Sequence, residues 1–220
     1  MSGGWDGRIL PHSFLAMLSE THRTRLRAGG VVRTFRRGRR PIIEGTPVTQ
    51  VLLIEDGWIM VSVDGQDIEI RGPGDFAGNG DFAGGAERYT VTCITPVTAL
   101  LRSAADFVSL AESAPEISRA VIYTLATREE QSYVRLVRAR MPAPRRLALL
   151  ILDVTAMAWA VRADLPLSAE RLASLICASR RTVTRCLTEW HGKGVVSHGY
   201  RSIRVLDRSA LAAIAATPRR

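Results

Sequence analysis

The chain has few of the residues that build most catalytic and metal-binding sites. Its 220 residues include three cysteines and four histidines, and no Cys-x-x-Cys, His-x-x-x-His or His-Glu-x-x-His spacing joins them. One residue among its 30 cations is lysine, and that lysine lies far from any glycine-rich loop. The Gly-x-Ser-x-Gly elbow of many hydrolases and the Gly-Lys-Ser/Thr phosphate loop are also missing. We therefore expect a protein that is not an enzyme and that holds no metal.

Long apolar runs are missing as well. The stretch 147 to 152 is closed by Asp153, far short of the ~20 residues that a membrane-spanning helix needs. The first six residues lack the charged and apolar blocks of a signal peptide. With 46% hydrophobic and 23% charged residues, the composition is that of an ordinary globular protein. We expect a cytoplasmic protein with no membrane contact and with its three cysteines reduced.

Positive charge is concentrated at one end of the chain. Residues 1 to 141 hold 17 Arg and 16 acidic residues, a balance of 17 − 16 = +1. Residues 142 to 220 hold 12 Arg and one Lys against 5 acidic residues, a balance of 13 − 5 = +8. Such a block is typical of a surface that binds nucleic-acid phosphates. Lipid is the less favoured partner, because the cations are arginines spread through a compact pattern and not lysines flanking an amphipathic helix.

The N-terminal half alternates short strand-like segments with tight turns. After one or two short helices in residues 12 to 28, β-rich segments are predicted at 31–35, 50–54, 58–63, 67–70, 89–94 and 97–101. Their regular spacing indicates a small antiparallel barrel or double-sheet roll. Six glycines fall between residues 72 and 85, and this loop is the place where we expect a ligand.

Residues 115 to 140 predict one long helix with an apolar stripe that is interrupted at Arg128 to Ser132. A helix of this length suits a dimer interface, with Ile122, Leu125 and Leu136 as candidate contacts and something polar at its centre. Pro142 and Pro144 then predict a hinge, followed by a helix at 145–160. We thus expect an α+β chain with a sensor domain at 1–113, a dimerisation helix at 114–141 and a DNA-binding domain at 142–220.

The most specific pattern lies in residues 168 to 190. Ser168 and Ser179 stand at the N-caps of two amphipathic helices joined by a three-residue turn, which predicts a helix-turn-helix. The second helix presents Arg180, Arg181, Thr184 and Arg185 in its first turns, the part of such a helix that enters the major groove. Arginine forks match guanine O6 and N7, so the three arginines are candidates for base contacts. Ser179 and Thr182 are candidates for phosphate contacts.

Two short strand-like runs, 195–198 and 202–206, follow this helix and predict a wing. Arg201 and Arg204 would lie near DNA phosphates, so binding should fall steeply as salt rises.

Together these segments resemble the cyclic-AMP receptor protein and fumarate-nitrate regulator superfamily of bacterial transcription factors. The resemblance covers residues 30 to 208 and is strongest in the Gly-Pro-Gly-Asp-Phe turn at 72–76 and in Ala178 to Arg185, which is similar to the family's Cys-Ser-Arg-Glu-Thr-Val-x-Arg. It implies an N-terminal cyclic-nucleotide-binding-like β-roll, a homodimer on palindromic double-stranded DNA and contact with RNA polymerase. It also places Arg180, Arg181 and Arg185 at base-contacting positions. Arg181 stands where many members have Glu, so the DNA site should differ from the familiar one.

The resemblance is weaker at the effector site. Nucleotide-binding members have Gly-Glu for the ribose and Arg-Ser or Arg-Thr for the cyclic phosphate, whereas this chain has Gly78-Asn79 and Arg88-Tyr89. Asn79 lacks the carboxylate charge, and Tyr89 would fill part of the phosphate's space. Ser132 falls near the position on the long helix at which the family contacts the base of the bound nucleotide.

We therefore expect an effector other than cyclic AMP, or none. A genuine cyclic-nucleotide-dependent regulator and an RNA-binding regulator remain as alternatives. Haem and iron–sulfur sensing are not expected, because no cysteine cluster precedes Cys93 and no histidine stands out as an axial ligand.

Overall fold

The computed structural model describes residues 9–47, 49–78, 85–160, 167–199 and 202–216. The chain divides into two compact units, Met1–Arg128 and Glu129–Arg220. The division falls within a single helix, Pro115–Ala139, so that each unit contains a part of it.

The first unit is built mainly of antiparallel strands. A single 3-10 turn at Leu15–Met17 and helix α1, Glu20–Arg27, precede the strands. The strands are β1 Val31–Phe35, β2 Gln50–Asp56, β3 Ile59–Val63, β4 Gln66–Arg71, β5 Phe76–Ala77, β6 Thr90–Cys93 and β7 Val97–Ser103. They form one sheet in the order β1-β7-β2-β5 and a second in the order β4-β3-β6. The predicted double-sheet roll is therefore present, and β5 is a strand that the pattern did not predict.

The central strands of the roll are buried on both faces, and their side chains fill its interior. Strands β2 and β3 carry nearly continuous buried residues, from Val51 to Ile54 and from Ile59 to Val61. A second core joins the sheet to the helices through the rings of Phe14, Phe76 and Phe107, whose centroids lie 5.1 to 6.0 Å apart. Offset and edge-on aromatic contacts at this distance stabilise a core beyond the area that they bury. Phe107 belongs to helix α2, Ala104–Ser113, which sequence periodicity did not predict.

Helix α3, Pro115–Ala139, agrees with the predicted long helix. Ile117, Ala120 and Val121 in its first half are buried against the core of the roll, and Leu125 is packed there in part. Leu125 thus packs within its own chain, whereas Ile122 is 66% exposed and Leu136 is 67% exposed. Of the three predicted interface residues, two therefore keep an exposed surface for a partner.

The second unit is helical with one hairpin. Its elements after α3 are α4 Ala143–Ala160, α5 Ala169–Leu175, α6 Arg180–Gly192, β8 Val196–Gly199, β9 Ser202–Val205 and α7 Arg208–Ala216. Helix α4 begins before Pro144, not after it, because proline is tolerated in the first turn, where its missing N–H would have had no helical acceptor. Helix α7 was not predicted.

None of the helices in the described part of the chain combines the length and the apolar character that crossing a membrane requires.

Candidate effector site and DNA-binding surface

The glycine-rich turn that begins the predicted ligand loop is packed tightly inside the roll. Gly74 has φ +95°, and a Cβ there would meet the Ser13 Oγ at 2.2 Å. Its N–H donates to the Ile54 carbonyl at 2.9 Å, and its own carbonyl accepts from the Leu15 N–H at 2.9 Å. Glycine is required here by both conformation and space. The turn therefore fixes Asp75 and Phe76, the residues that lead into the candidate effector site.

Gly78 and Tyr89 meet directly. Gly78 is buried with φ +88°, and a Cβ there would come within 2.2 Å of the Gln50 carbonyl oxygen. Its N–H donates a 3.0 Å hydrogen bond to the Tyr89 hydroxyl. Tyr89 is 9% exposed, and the Arg71 guanidinium carbon lies over its ring, 5.3 Å from the ring centroid. Tyr89 is thus part of the interior, and its hydroxyl binds the loop backbone.

The other three residues predicted for the effector site differ in what the structure shows of them. Arg88 is exposed and makes no ion pair with a described residue. Asn79 lies outside the described residues. Ser132 belongs to the second compact unit, where its hydroxyl accepts a 2.9 Å hydrogen bond from Arg135.

Beside Tyr89 the structure holds a buried ionic cluster of Glu69, Arg71, Asp75 and Arg128. Arg71 donates to Glu69 at 2.8 Å and to the Phe76 carbonyl at 3.1 Å. Arg128 donates to the same carbonyl at 2.9 Å and lies 4.0 Å from both carboxylates. Two cations and two anions thus balance in a poorly solvated place, as buried charges must.

Burial and charge act against each other within the ionic cluster. Burial raises the pKa of Asp75, and the neighbouring Arg128 and Arg71 guanidinium groups oppose that rise. Burial disfavours the charge of Arg71, but the Glu69 carboxylate and Tyr89 raise its pKa above the ordinary value. Since arginine stays protonated in proteins, the cluster keeps both cations.

Sequence reasoning missed the ionic cluster. The one sequence feature that pointed to the cluster was the interruption of the apolar stripe of the long helix at Arg128. By itself, this interruption indicates a polar centre between two protomers. Arg128 instead packs into its own roll, with its guanidinium 4.6 Å from the Phe76 ring centroid. The helix is thereby joined to the turn at Phe76 by three contacts of different kinds: a hydrogen bond, a cation–π contact and ion pairing.

In the second unit, α5 and α6 form the predicted helix-turn-helix. The hydroxyls of Ser168 and Ser179 cap the two helices by accepting from the N–H groups of Arg171 and Thr182. All of the predicted core positions are buried: Leu172, Ile176, Val183, Leu187 and Trp190. Cys177 occupies the turn with φ +50°, and its carbonyl accepts from Arg146 at 3.2 Å. The turn therefore has the left-handed residue that a sharp reversal between helices needs.

The exposed face of α6 carries the residues predicted to contact DNA bases. Arg181, Thr184 and Arg185 are exposed, and their spacing of three and four residues places them on one face of the helix. Arg180 is also exposed, but its Nε lies 2.9 Å from a Glu170 carboxylate oxygen. Exposed ion pairs of this kind contribute about 0 to 1 kcal/mol, so DNA could displace Glu170.

The remaining residues predicted to contact DNA differ in whether they already have a partner in the free protein. Ser179 and Thr182 are within 2.9 Å of each other through their hydroxyls, and Ser179 also serves as a cap, so both have partners in the free protein. Arg204 is exposed on β9, opposite Ser197 of β8, where the hairpin forms the predicted wing. Arg201 lies outside the described residues.

Comparison with known proteins agrees with this geometry. Residues 145–214 match the Crp-like helix-turn-helix domain, and residues 32–114 match the cyclic nucleotide-binding domain. The chain is 28% identical over 190 residues to a CRP-like cAMP-activated global transcriptional regulator of Mycobacterium tuberculosis, and the match covers 81% of this chain and 85% of the relative.

Solved structures share the fold. FixK2 from Bradyrhizobium japonicum superposes with a TM-score of 0.74 at 19% identity, covering 86% of this chain and 99% of that one. The c-di-GMP responsive global regulator CLP from Xanthomonas campestris gives a TM-score of 0.73 at 16% identity, covering 85% and 99%.

Proposed function

Because the chain belongs to the CRP/FNR family of transcription regulators, we propose that it acts as a homodimer on an inverted-repeat DNA site and that its effector is not cyclic AMP. The cyclic nucleotide-binding domain and the helix-turn-helix make it a DNA-binding transcription regulator. A regulator of this kind works at the chromosome, so we also propose a cytoplasmic location and contact with RNA polymerase.

The observation that carries the DNA proposal is the exposed face of α6. Arg181, Thr184 and Arg185 are exposed in the first two turns of the helix, above a buried apolar face that fixes its orientation. A helix held in this way can enter the major groove with its N-terminal side chains foremost. Two arginines at these positions favour guanine in each half-site.

The homodimer proposal is supported by apolar side chains that α3 leaves uncovered in the described chain. Five large residues of the helix are more than half exposed: Ile122, Tyr123, Tyr133, Leu136 and Val137. An apolar patch of this kind on one helix is typical of a protein interface. A second copy of the same helix would cover it symmetrically, and two copies would read two half-sites about one helical turn apart.

Selection of bound sequences from a random duplex library tests the DNA proposal directly. We expect an inverted repeat to emerge, with guanine at defined positions in each half. Arg181→Ala or Arg185→Ala should lower discrimination at one base pair per half-site by about 1 to 3 kcal/mol, because each removes a bidentate contact.

The matched control is Arg208→Ala, which removes an exposed arginine of the same unit outside the helix-turn-helix. It should leave the sequence preference unchanged. The reading assignment is wrong if Arg185→Ala lowers the affinity for all sequences alike and keeps the same preference. Single-stranded RNA that competes as well as duplex DNA would favour an RNA-binding regulator instead.

A further inference from the structure

Two histidines of the second unit lie side by side, although they are separated along the sequence. The ring centroids of His191 and His198 are 5.4 Å apart, and the two rings are inclined by 75°. His191 belongs to the last turn of α6, and His198 belongs to β8, the first strand of the wing. The pair therefore connects the end of the helix predicted to enter the major groove with the hairpin that follows it.

The backbone around the two histidines is held in place. The Val195 N–H donates to the Trp190 carbonyl at 2.8 Å, which fixes the connection between α6 and β8. Val196 is buried, and His198 comes two residues later in the same strand, so both side chains lie on one face of the hairpin. Since the His198 ring contacts that of His191, this face is turned toward α6. The fold thus brings the two imidazoles together.

One hydrogen bond determines which nitrogen of His191 is available to a ligand. Its Nδ1 lies 3.2 Å from the Val196 carbonyl oxygen. Because a carbonyl oxygen can only accept, this bond places the hydrogen on Nδ1, and the neutral ring then has its lone pair on Nε2. Metal-binding histidines commonly donate their second ring nitrogen in this way, which fixes the ring. The His198 ring makes no hydrogen bond to a described residue, so an ion would displace none there.

The separation of the two rings suits a shared metal ion. Zinc binds imidazole nitrogens at about 2.0–2.1 Å in a tetrahedral arrangement, which puts the centroids of two bound rings roughly 5 Å apart. The observed 5.4 Å is close to this value. The described residues hold no group of three or more metal-binding side chains, so water would complete the coordination. Imidazole ligands suit zinc, copper and nickel, whereas magnesium and calcium prefer oxygen.

Two described cations near the pair in sequence do not oppose an ion there. The Lys193 ammonium donates to a Glu189 carboxylate oxygen at 2.6 Å. Arg204 stands directly opposite Ser197, and residues that are neighbours along a strand point to opposite faces, so Arg204 and His198 lie on different faces of the hairpin. Neither cation has to be displaced when an ion binds the histidines.

We propose that His191 and His198 bind one divalent transition-metal ion of the zinc class, which ties the first strand of the wing to the end of α6. The sequence alone predicts no metal site, because the hairpin and not a short repeat brings these two residues together. The bound ion holds the wing in one orientation relative to the helix. A surface held in this way loses less freedom when it binds a partner.

Titration of the untagged protein with zinc in a calorimeter tests the site, and magnesium is the hard-cation comparison. All proteins carry Cys177→Ser, because the exposed Cys177 thiol is itself a zinc ligand. His191→Gln and His198→Gln each remove one imidazole from this parent. His22→Gln is the matched control, since the His22 Nε2 lies 3.5 Å from a Glu116 carboxylate oxygen and the two form a second place where ligands meet.

We expect one zinc ion per chain in the parent and in the His22→Gln control, and no binding of magnesium. Loss of either imidazole of the pair should weaken zinc binding roughly tenfold or more. In nuclear magnetic resonance spectra of the parent, zinc should shift the ring signals of His191 and His198 together and leave those of His12 and His22 in place. Zinc should also raise the midpoint of thermal unfolding of the parent and not that of the two variants.

Zinc binding by His191→Gln and His198→Gln that equals that of the parent would overturn the proposal. So would a parent that binds no zinc, or a loss of zinc binding in His22→Gln alone. Unfolding curves in EDTA show whether each variant folds. If one of the two does not, the other variant and the ring signals of the parent decide.

The consequence for DNA rests on the function proposed above. Zinc should strengthen binding of the parent to the selected inverted repeat severalfold and leave that of His198→Gln unchanged. Equal affinity of the parent with and without zinc would overturn the role of the ion in holding the wing. Failure of the DNA-binding function would be distinct, because no sequence would then be selected, whereas calorimetry and the ring signals test the metal site without DNA.

Discussion

Tyr89 shows how a side chain that the sequence predicts for an effector site can belong to the protein interior. Its hydroxyl accepts the Gly78 N–H, and Gly78 is held at positive φ against the Gln50 carbonyl. The tyrosine therefore stabilises the loop backbone from within the same chain. A smaller residue here would leave a cavity as well as an unpaired donor, so Tyr89→Ser is a poor probe of ligand binding.

Tyr89→Phe should lower the free energy of unfolding by about 1 to 3 kcal/mol, because it leaves a buried N–H without an acceptor and keeps the ring in place. Chemical denaturation of the purified protein measures the change. Thr24→Val is the control that removes an exposed hydroxyl, since Thr24 lies on the surface of α1 and its side chain makes no hydrogen bond to a described residue. Equal stability of Tyr89→Phe and wild type would show that the Gly78 bond contributes nothing.

The three cysteines differ in exposure, and their reactivity should differ with it. Cys93 and Cys186 are buried, whereas Cys177 is exposed in the turn between α5 and α6. Burial raises the pKa of the Cys93 thiol to about 11 and also raises that of Cys186. Because the thiolate is the reactive form, both buried thiols should react slowly. Burial keeps the reagent away from them, and their raised pKa values keep them protonated.

Native protein treated briefly with iodoacetamide at about pH 8 should therefore take up one label, at Cys177. Mass spectrometry of the intact chain and its peptides gives the number and the position. The same treatment in guanidinium chloride should label all three cysteines, and Cys177→Ser should stay unlabelled when native. Rapid native labelling of Cys93 would contradict the packing of β6 described above.

At the scale of elements, α3 has two functions along one length. Its first half contributes Ile117 and Val121 to the core of the roll, and Arg128 joins it to the ionic cluster. Its other face and its second half expose large apolar side chains. One part of the amphipathic pattern thus packs against the protein's own sheet domain, and the other part is left exposed in the described chain.

Ile122→Glu or Leu136→Glu should give folded monomers, because a charge at the centre of an apolar interface is costly and neither residue packs inside the chain. Sedimentation velocity at micromolar concentration measures the oligomeric state, and both variants should lose tight binding to the inverted repeat. Leu206→Glu is the control, at a residue outside α3 that is 55% exposed, and it should remain dimeric.

Leu125→Glu should behave differently, since Leu125 packs against the core of the roll. We expect it to unfold the sensor domain and not merely to separate two protomers. If Ile122→Glu and Leu136→Glu both remain dimeric, the assignment of α3 as the dimer interface is wrong.

At the scale of the whole molecule, a ligand of the sensor domain can change DNA binding only if it binds one conformation better than another. The internal use of Tyr89 and the absence of a carboxylate at Asn79 both argue that cyclic AMP binds weakly. Removing one charge-assisted bond weakens binding by about 1.5 to 3 kcal/mol, roughly ten- to a hundredfold. Weak binding leaves the site mostly empty at a given ligand concentration, and an empty site cannot shift the balance between conformations.

Operator affinity should therefore be the same with and without cyclic AMP. Calorimetry measures the binding of cyclic AMP to the protein, and a DNA-binding titration with and without the nucleotide measures the operator affinity. Asn79→Glu should strengthen cyclic AMP binding, because it restores a charged acceptor for the ribose hydroxyls. A panel of cyclic mononucleotides and dinucleotides in the same calorimeter searches for the true effector. Low-micromolar binding of cyclic AMP by the wild type, with a many-fold rise in operator affinity, would contradict the proposal.

Local pattern was enough to predict the β-roll, the long helix, the helix-turn-helix and the basic character of the C-terminal third. These features depend on periodicity, caps and turns that are close in sequence, such as Ser179 three residues before Thr182. Only the tertiary structure decided which partner each polar or apolar side chain takes. Arg128 lies 52 residues from Phe76, and Glu170 lies ten from Arg180, so no local pattern could pair them. Pairing over such distances depends on how sheets and helices pack, and that packing made Tyr89, Leu125 and Arg128 parts of the interior.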